Sequence, residues 1–387
     1  MRRARGTVIR VFMPCTGLGR ELRGFEAFTR DCALALRARS DVAVTAFGGG
    51  PKLAVGERRV FSLGRRGRAA RVLGGLLRRD PYFIEQASFF AAFLPAVIAG
   101  RPDVIYFGDL NLGNALWHWR RLTAARFRLL YYNGGATTRP FTRCDLVQQV
   151  SPEHLETAIA RGESLAQQFL LPHGVFIDRV FVPPSPAERA SRRAALGFDA
   201  DATVVLSVGA LDASVKRMDY VIDEVAAMSG NPHLVLMGAE GPETPAIRAR
   251  AAARLPGRCA ILTLPRAEAR QVYPLADVFA LASRTEGFGI AQVEALAAGL
   301  PCVAHDTPTT AYVLGPHGVR ADLTKPGALR AALADALDRA RRDGPGGAAA
   351  RHAYAYERFS WDRLAPAYAA ALVACATGRR PDGVGAS

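Results

Sequence analysis

The sequence predicts an α/β protein built of two consecutive doubly wound domains, and three observations carry that expectation. Short β-rich runs alternate with helix-length segments along nearly the whole chain. Several of these runs are almost continuously apolar, as parallel strands covered on both faces are. A proline-rich break at 181–202 splits the runs into two series, each long enough for its own sheet. A length of 387 residues also fits two domains better than one.

In the first series the strand-like runs are TVIRVFMP (7–14), VAVTAFG (42–48), DVIYFGD (103–109), RLLYYNGG (128–135), DLVQQVS (145–151) and FLLPHGV (169–175). Between the first two, ELRGFEAFTRDCALALRAR (21–39) spaces its apolar residues as a helix does. The break FVPPSPAERASRRAALGFDADA (181–202) carries one short helix. The second series follows with TVVLSVGA (203–210), HLVLMG (233–238), AILTLP (260–265), DVFALAS (277–283) and PCVAHD (301–306). GPGGAAA (344–350) reads as a mobile connection or a helix end. FSWDRLAPAYAAALVACATG (359–378) reads as a last helix, with Ser360 as N-cap and a kink or late start at Pro366. The expected domains are 1–185 and 186–358, with a terminal helix and tail over 359–387. No repeat of solenoid period is present. MRRARG at the start and GRRPDGVGAS at the finish are expected to fray.

The formal charge is +15, and only three of the basic residues are lysines, Lys52, Lys216 and Lys325. Residues 1–80 carry 18 Arg/Lys against 6 Asp/Glu, or +12, leaving +3 for the remainder. Such a basic face attracts nucleic acid, anionic headgroups or phosphorylated substrates, or is simply a solvated arginine surface. The chain has no recognisable nucleic-acid motif and no basic run interleaved with aromatics, so nucleic acid is not an expected partner. Cysteines 15, 32, 144, 259, 302 and 375 form no CxxC pair, which suits reduced, buried thiols in a cytosolic protein rather than disulfides or zinc. MRRARGTVIRVFMP lacks the apolar core of a signal peptide. ASFFAAFLPAVIAG (87–100) is too short to span a bilayer and reads as a core helix, with a membrane-dipping role as the alternative. GRRGRAARVLGGLLRRDPYF (64–83) sets Leu and Val between arginines. It is either a solvated helix or a segment that docks on an anionic membrane face.

The most informative stretch is SRTEGFGIAQVEALAAGLP (283–301). Ligands of open α/β sheets bind beyond the carboxyl ends of strands, and Glu286 follows the strand DVFALAS by three residues. Gly287 and Gly289, flanking Phe288, let main-chain N–H groups approach a ligand closely. The helix expected to start near Ile290 points its positive end at the same place. The ligand is therefore anionic or richly hydroxylated, most simply a phosphorylated sugar. Glu286 would accept hydrogen bonds from vicinal hydroxyls, and Glu294, a turn into the helix, suits a ribose diol. Taken by spacing alone, the two carboxylates also fit a capping acid and a surface glutamate.

At this point the segment resembles the retaining glycosyltransferases of family 4, whose fold is the two-Rossmann GT-B type. Glu286 and Glu294 match their E-x7-E motif, and ADVFALASRTEGFGIAQVEALAAGLPCVA (276–304) is similar to the family signature almost throughout. LSVGALDASVKRMDYVID (206–223) resembles the loop where a basic pair holds the donor diphosphate. Lys216 takes the lysine position, while Ala210 replaces the usual arginine, so Arg217 is the candidate for the second charge. LLPHGVFIDRVFVPP (170–184) resembles the segment closing the first domain, with His173 in place of the usual asparagine and a structural part expected for it. RFSWDRLAPAY (358–368) is similar to the segment that crosses back to the first domain. PCTGLGRELRGFE (14–26) resembles the glycine-rich loop facing donor phosphates and acceptor, which makes Gly17 and Gly19 donor-side candidates and Arg20 an acceptor-side one. Asn133 stands where many members carry a histidine near the donor sugar. A dinucleotide fingerprint at Gly17 and Gly19 is excluded: the third glycine is misplaced, and VAVTAFGGG ends without an acid.

The resemblance implies a hexose-type sugar passed with retention from a UDP- or GDP-sugar, across a cleft between the domains, to a hydroxyl acceptor. That acceptor is expected to be lipid-linked or a polysaccharide precursor. The expected site is cytoplasmic, peripheral on the inner face of the membrane. Retaining hydrolases set two carboxylates close around the bond. No such second carboxylate is evident here, so a front-face reaction is expected, with Lys216, Arg217 and the 287–290 amides stabilising the departing diphosphate. No metal and no cofactor are expected. The rival readings are a nucleotide-sugar epimerase of the same fold and a non-catalytic nucleotide-sugar-binding protein.

Overall fold

A computed structural model of the chain describes residues 8–21, 24–135 and 141–381. Of the ends expected to fray, 1–6 and 382–387 lie outside the described residues, whereas 378–381 are held in place, with Arg380 Nε donating to the Gln168 carbonyl at 2.8 Å. The chain forms two compact units: residues 1–174 with 361–387, and residues 175–360.

The first unit holds β1 (Ile9–Cys15), α1 (Gly24–Arg37), β2 (Val42–Gly48), β3 (Glu57–Arg59), α2 (Arg68–Leu77), α3 (Pro81–Gly100), β4 (Val104–Phe107), α4 (Leu110–Thr123), β5 (Arg128–Asn133), β6 (Leu146–Gln149), α5 (Pro152–Ala160) and β7 (Gln168–Leu170). The seven strands form one sheet in the order β3-β2-β1-β4-β5-β6-β7, every pairing parallel. The sequence missed β3, a three-residue edge strand of charged residues with no apolar signal. Proline and a capping acid start α3: Asp80 accepts from Phe83 N at 2.8 Å, with Pro81 in the first turn. Phe89, Phe93 and Val97 of that helix are buried with Phe12, Phe47, Ile105 and Phe107 of the sheet, so 87–100 is part of a core helix, as expected.

The second unit holds α6 (Pro186–Ala194), β8 (Val204–Val208), α7 (Met218–Ala226), β9 (His233–Met237), α8 (Thr244–Arg254), β10 (Cys259–Leu262), α9 (Arg266–Ala269), β11 (Val278–Leu281), α10 (Ile290–Ala297), β12 (Cys302–His305), α11 (Pro308–Leu314), β13 (Gly318–Ala321) and α12 (Ala328–Phe359). Its six parallel strands run β10-β9-β8-β11-β12-β13. Val205, Leu234, Leu236, Val278, Ala280 and Val303 pack under Val221, Ile222 and Leu333 of the covering helices. At the strand starts Asp277 ties the sheet to α6. It accepts from Arg193 at 2.8 Å, Arg189 at 2.6 Å and Val204 N at 2.7 Å. The GPGGAAA stretch is a break inside α12, where Gly344 leaves helical geometry at φ 57° just before Pro345.

The last helix, α13 (Trp361–Ala376), belongs to the first unit and runs through Pro366 without stopping. Trp361 stacks on Phe28 of α1, Tyr368 packs against it at a tilt of 46°, and Tyr132 lies 4.1 Å from Phe28, ring centre to ring centre. His173 sits inside this aromatic cluster with its ring edge-on to Phe28 and its Nε2 bonded to the Tyr132 hydroxyl. Its part is structural, as the sequence suggested. All six cysteines are free and five are buried. Burial pushes the half-buried Cys259 thiol up to about 12.

Candidate active site

The sheet of the second unit reverses its winding between β8 and β11, which pair directly. At such a switch point the helices leave to opposite faces, and the loops beyond the two strands open a crevice. Lys216 comes from the loop after β8 and Glu286 from the loop after β11. Lys216 Nζ donates to Glu286 Oε1 in a salt bridge whose side chains are 21% and 10% exposed.

The first loop is shaped by Asp212. Its Oδ1 accepts from Val215 N at 2.9 Å and Lys216 N at 2.6 Å, a pair of side-chain-to-backbone bonds that fixes the approach of the lysine. Glu243 braces the same loop by accepting from Ala213 N and Ser214 Oγ, and the Ser214 contact holds its carboxyl below the usual range. The stem of Lys216 crosses Gly209, where a Cβ would meet Lys216 Cδ at 2.8 Å; only glycine leaves the lysine room. Arg217 adopts a left-handed backbone, φ 53°, which is uncommon outside glycine. Its guanidinium donates to the carbonyls of Ala282 at 3.2 Å and Leu323 at 2.8 Å, and stacks on Tyr220 at 4.1 Å. Burial first, then the charge of Arg284, lowers its pKa. Arg217 thus stitches the two loops together through Nη1, which is turned to backbone.

In the second loop Phe288 is buried edge-to-face on Phe359, which anchors Gly287 and Gly289 on either side of it. Gly289 caps α10 at φ 84°, and the helix begins at Ile290. Gln292 N donates back to the Gly289 carbonyl at 2.9 Å, the amides of Ile290 and Ala291 have no acceptor within the helix, and the positive end of α10 faces the loop. Glu294 accepts from the Tyr273 hydroxyl at 2.7 Å. The Ser283 hydroxyl is buried, with no hydrogen-bond partner among the described residues.

The structure therefore brings Lys216, Arg217, Glu286, Gly287, Phe288, Gly289, Ile290 and Glu294 to one edge of the second sheet. Sequence reasoning missed Asp212, whose signal was an acid four residues before the lysine. It also missed Arg284, an exposed guanidinium with no carboxylate partner among the described residues. Tyr273 carried no signal, because its pairing with Glu294 exists only through space.

Gly17, Gly19, Arg20 and Asn133 all lie in the first unit. The Gly17 carbonyl accepts from Arg20 N and Glu21 N, and the Gly19 carbonyl from Lys52 N. Arg20 donates to Glu85 at 2.6 Å and to the Gly49 carbonyl at 2.6 Å. Arg65 binds the other oxygen of the buried Glu85 and lies 3.6 Å over the Tyr82 ring; Tyr82 in turn bonds Asp109. This network fills the carboxyl edge of β1 and β4, where the first sheet reverses. Asn133 is buried and donates to Gln149 at 2.8 Å, and Gln149 donates to Gln168 at 2.7 Å, a ladder of amides across β5, β6 and β7.

Residues 202–343 match the family model described as "Glycosyl transferases group 1". A D-inositol 3-phosphate glycosyltransferase of Xylanimonas cellulosilytica is 34% identical over 239 residues, covering 57% of this chain and 54% of that protein. The enzyme of the same name from Mycolicibacterium gilvum is 34% identical over 184 residues, 44% of this chain and 41% of its own. The chain thus spans about half the length of the curated relatives it matches. Among solved structures, the sucrose-phosphate synthase of Thermosynechococcus elongatus superposes with a TM-score of 0.71 at 22% identity, covering 93% of this chain and 97% of its own. Anabaena HepE in complex with UDP-glucose gives 0.71 at 19% identity, covering 95% and 100%. Residues 202–343 of the second unit are thus similar to the group 1 glycosyltransferase family, and the two Rossmann-like units have the GT-B fold.

Proposed function

We propose that this protein is a retaining, family 4-type glycosyltransferase that moves a hexose from a UDP- or GDP-sugar to an acceptor hydroxyl in the cytoplasm. The observation that carries the reading is the Lys216–Glu286 pair at the switch point, beside the open amides of α10. A diphosphate fits the lysine and the helix start, and sugar hydroxyls fit Glu286. Glu294, held by Tyr273, suits the ribose. Anabaena HepE, which shares the fold, has been solved with UDP-glucose, and this supports a nucleotide-sugar donor.

In the reaction the acceptor oxygen bonds to the anomeric carbon on the face from which the diphosphate departs. The glycosidic C–O bond to phosphate breaks, its electron pair leaves with the diphosphate, and the acceptor proton passes to a phosphate oxygen. Lys216, Arg284 and the α10 amides stabilise the charge that grows there, where fixed donors act most strongly. The scheme needs no metal.

A thermal-shift panel of nucleoside diphosphates and nucleotide sugars tests the reading, followed by incubation with labelled donors. We expect UDP or GDP to raise the melting temperature and the labelled sugar to reach an added acceptor, or slowly water. Conversion of the donor sugar without transfer would make the protein an epimerase; binding with no turnover would make it a sugar-nucleotide binder.

A further inference from the structure

Helix α2 exposes almost all of itself. Only Ala70 and Gly74 are buried, while Val72, Leu73, Leu76 and Leu77 are open to solvent, Leu76 at 75%. At 100° per residue these four side chains share an arc of about 140°. Arg68 falls beside Val72 at the edge of that arc, Arg71 and Arg78 fall on the other side of the helix, and Arg79 follows it. None of the four arginines has a carboxylate partner among the described residues. A surface helix of a water-soluble face shows the reverse pattern, with its apolar stripe inward.

Helix α3, which packs against α2, has the same excess. Its inner side, with Phe89, Phe93 and Val97, belongs to the core, so it does not span a bilayer. Its outer side presents Ala87, Ala91, Pro95 and Ile98, flanked by half-buried Phe83, Phe90 and Leu94. From Gln86 to Gly100 the helix has no charged residue. By length and composition it is apolar enough to cross a membrane, although only a third of its most apolar window is buried in the protein. Two neighbouring helices therefore leave apolar stripes uncovered, with arginines that have no carboxylate partner among the described residues at the edge of the α2 stripe, behind it and at its end.

We infer that the α2–α3 face lies in the interface of an anionic lipid bilayer. The leucines and valine enter the acyl boundary and the arginines bind headgroup phosphates. Apolar area with adjacent unpaired arginines fits that occupant better than a protein surface, which would have to supply an acid for each guanidinium. The charge bias agrees, since residues 1–80 hold +12 of the net +15. The face shares no residue with the Lys216–Glu286 site. Only its purpose rests on the transfer reading: an acceptor hydroxyl carried on a lipid would be presented there.

Co-sedimentation of the full chain with vesicles tests this. At physiological salt we expect binding to phosphatidylcholine vesicles containing roughly a third phosphatidylglycerol, and none to phosphatidylcholine alone. Leu76→Glu with Leu77→Glu should lower the partition at least about tenfold. Arg78→Gln and Arg79→Gln should lower it about fivefold each. Ile98→Glu on α3 supplies an independent variant, and nucleotide-induced thermal shift in every variant reports that the second unit is intact. Absence of wild-type binding overturns the inference, as does binding that survives the leucine pair and Ile98→Glu. Dimerisation abolished by the leucine pair also overturns it, because the face would then be covered by a second copy.

Discussion

Replacing Glu286 by glutamine separates two roles that a simple loss of activity would confuse. In the free protein its carboxylate neutralises Lys216, the cation proposed for the donor diphosphate. An incoming diphosphate must compete with that carboxylate. Two unit charges about 4 Å apart interact by about 1 kcal/mol in water and about 4 kcal/mol at an effective dielectric constant of 20. With 10–21% of each side chain exposed, solvent screening argues for the lower figure. Glu286→Gln should therefore bind UDP or GDP about fivefold more tightly in titration calorimetry. The same variant should lose turnover with the full nucleotide sugar, because the amide is a weaker acceptor for sugar hydroxyls. Lys216→Met should weaken the nucleotide and lower turnover by about a hundredfold or more. If both variants weaken the bare nucleoside diphosphate alike, Glu286 supports the phosphate site rather than balancing it, and the assignment of roles is wrong.

Glu294→Ala should abolish the thermal response to nucleoside diphosphates, and Tyr273→Phe should weaken it severalfold while leaving the unliganded melting temperature within a few degrees; a full response in Glu294→Ala removes the ribose role. Asp277→Ala strips the carboxylate from the nearly buried Arg193 and should cost about 3 kcal/mol in chemical denaturation, with donor binding unchanged at low denaturant. Burial lowers the pKa of His154, His233 and His317, so the unfolded chain binds protons more readily than the folded one. Stability should thus be complete above the ordinary histidine range and fall as the pH drops below about 6.5, and His233→Gln should flatten part of that fall in melts between about pH 7.5 and 5.5. Transfer should survive EDTA, and a rate restored only by added divalent metal would refute the proposed metal-free scheme.

Most of the two sheets was legible because buried parallel strands are written as apolar runs, and eleven such runs each became a strand. The two strands that escaped, β3 and β13, are edge strands, where one side needs no partner and the apolar signal fades. The edge of the second sheet was legible for a related reason. Its glycines, its acids and the helix start at Ile290 are local in the chain, so spacing alone brings them together. What could not be read were partnerships across the fold. Tyr273 reaches Glu294 from another segment, and Arg217 looked like a free cation until its donors were found on the carbonyls of Ala282 and Leu323. Likewise, Arg20 and Asn133 are drawn into polar networks with Glu85 and Gln149 that no local pattern announces.

The placement of α13 has a bearing on how the chain is made. Phe28, Tyr132 and His173 form their aromatic cluster with Trp361 and Tyr368, which are synthesised only after the whole second unit. The second unit, by contrast, is complete at residue 360. At about 5–20 residues per second, the roughly 200 residues after 174 take about 10–40 s to synthesise. For that interval the nascent amino-terminal half waits without its closing helix, and the half born later can finish folding before it.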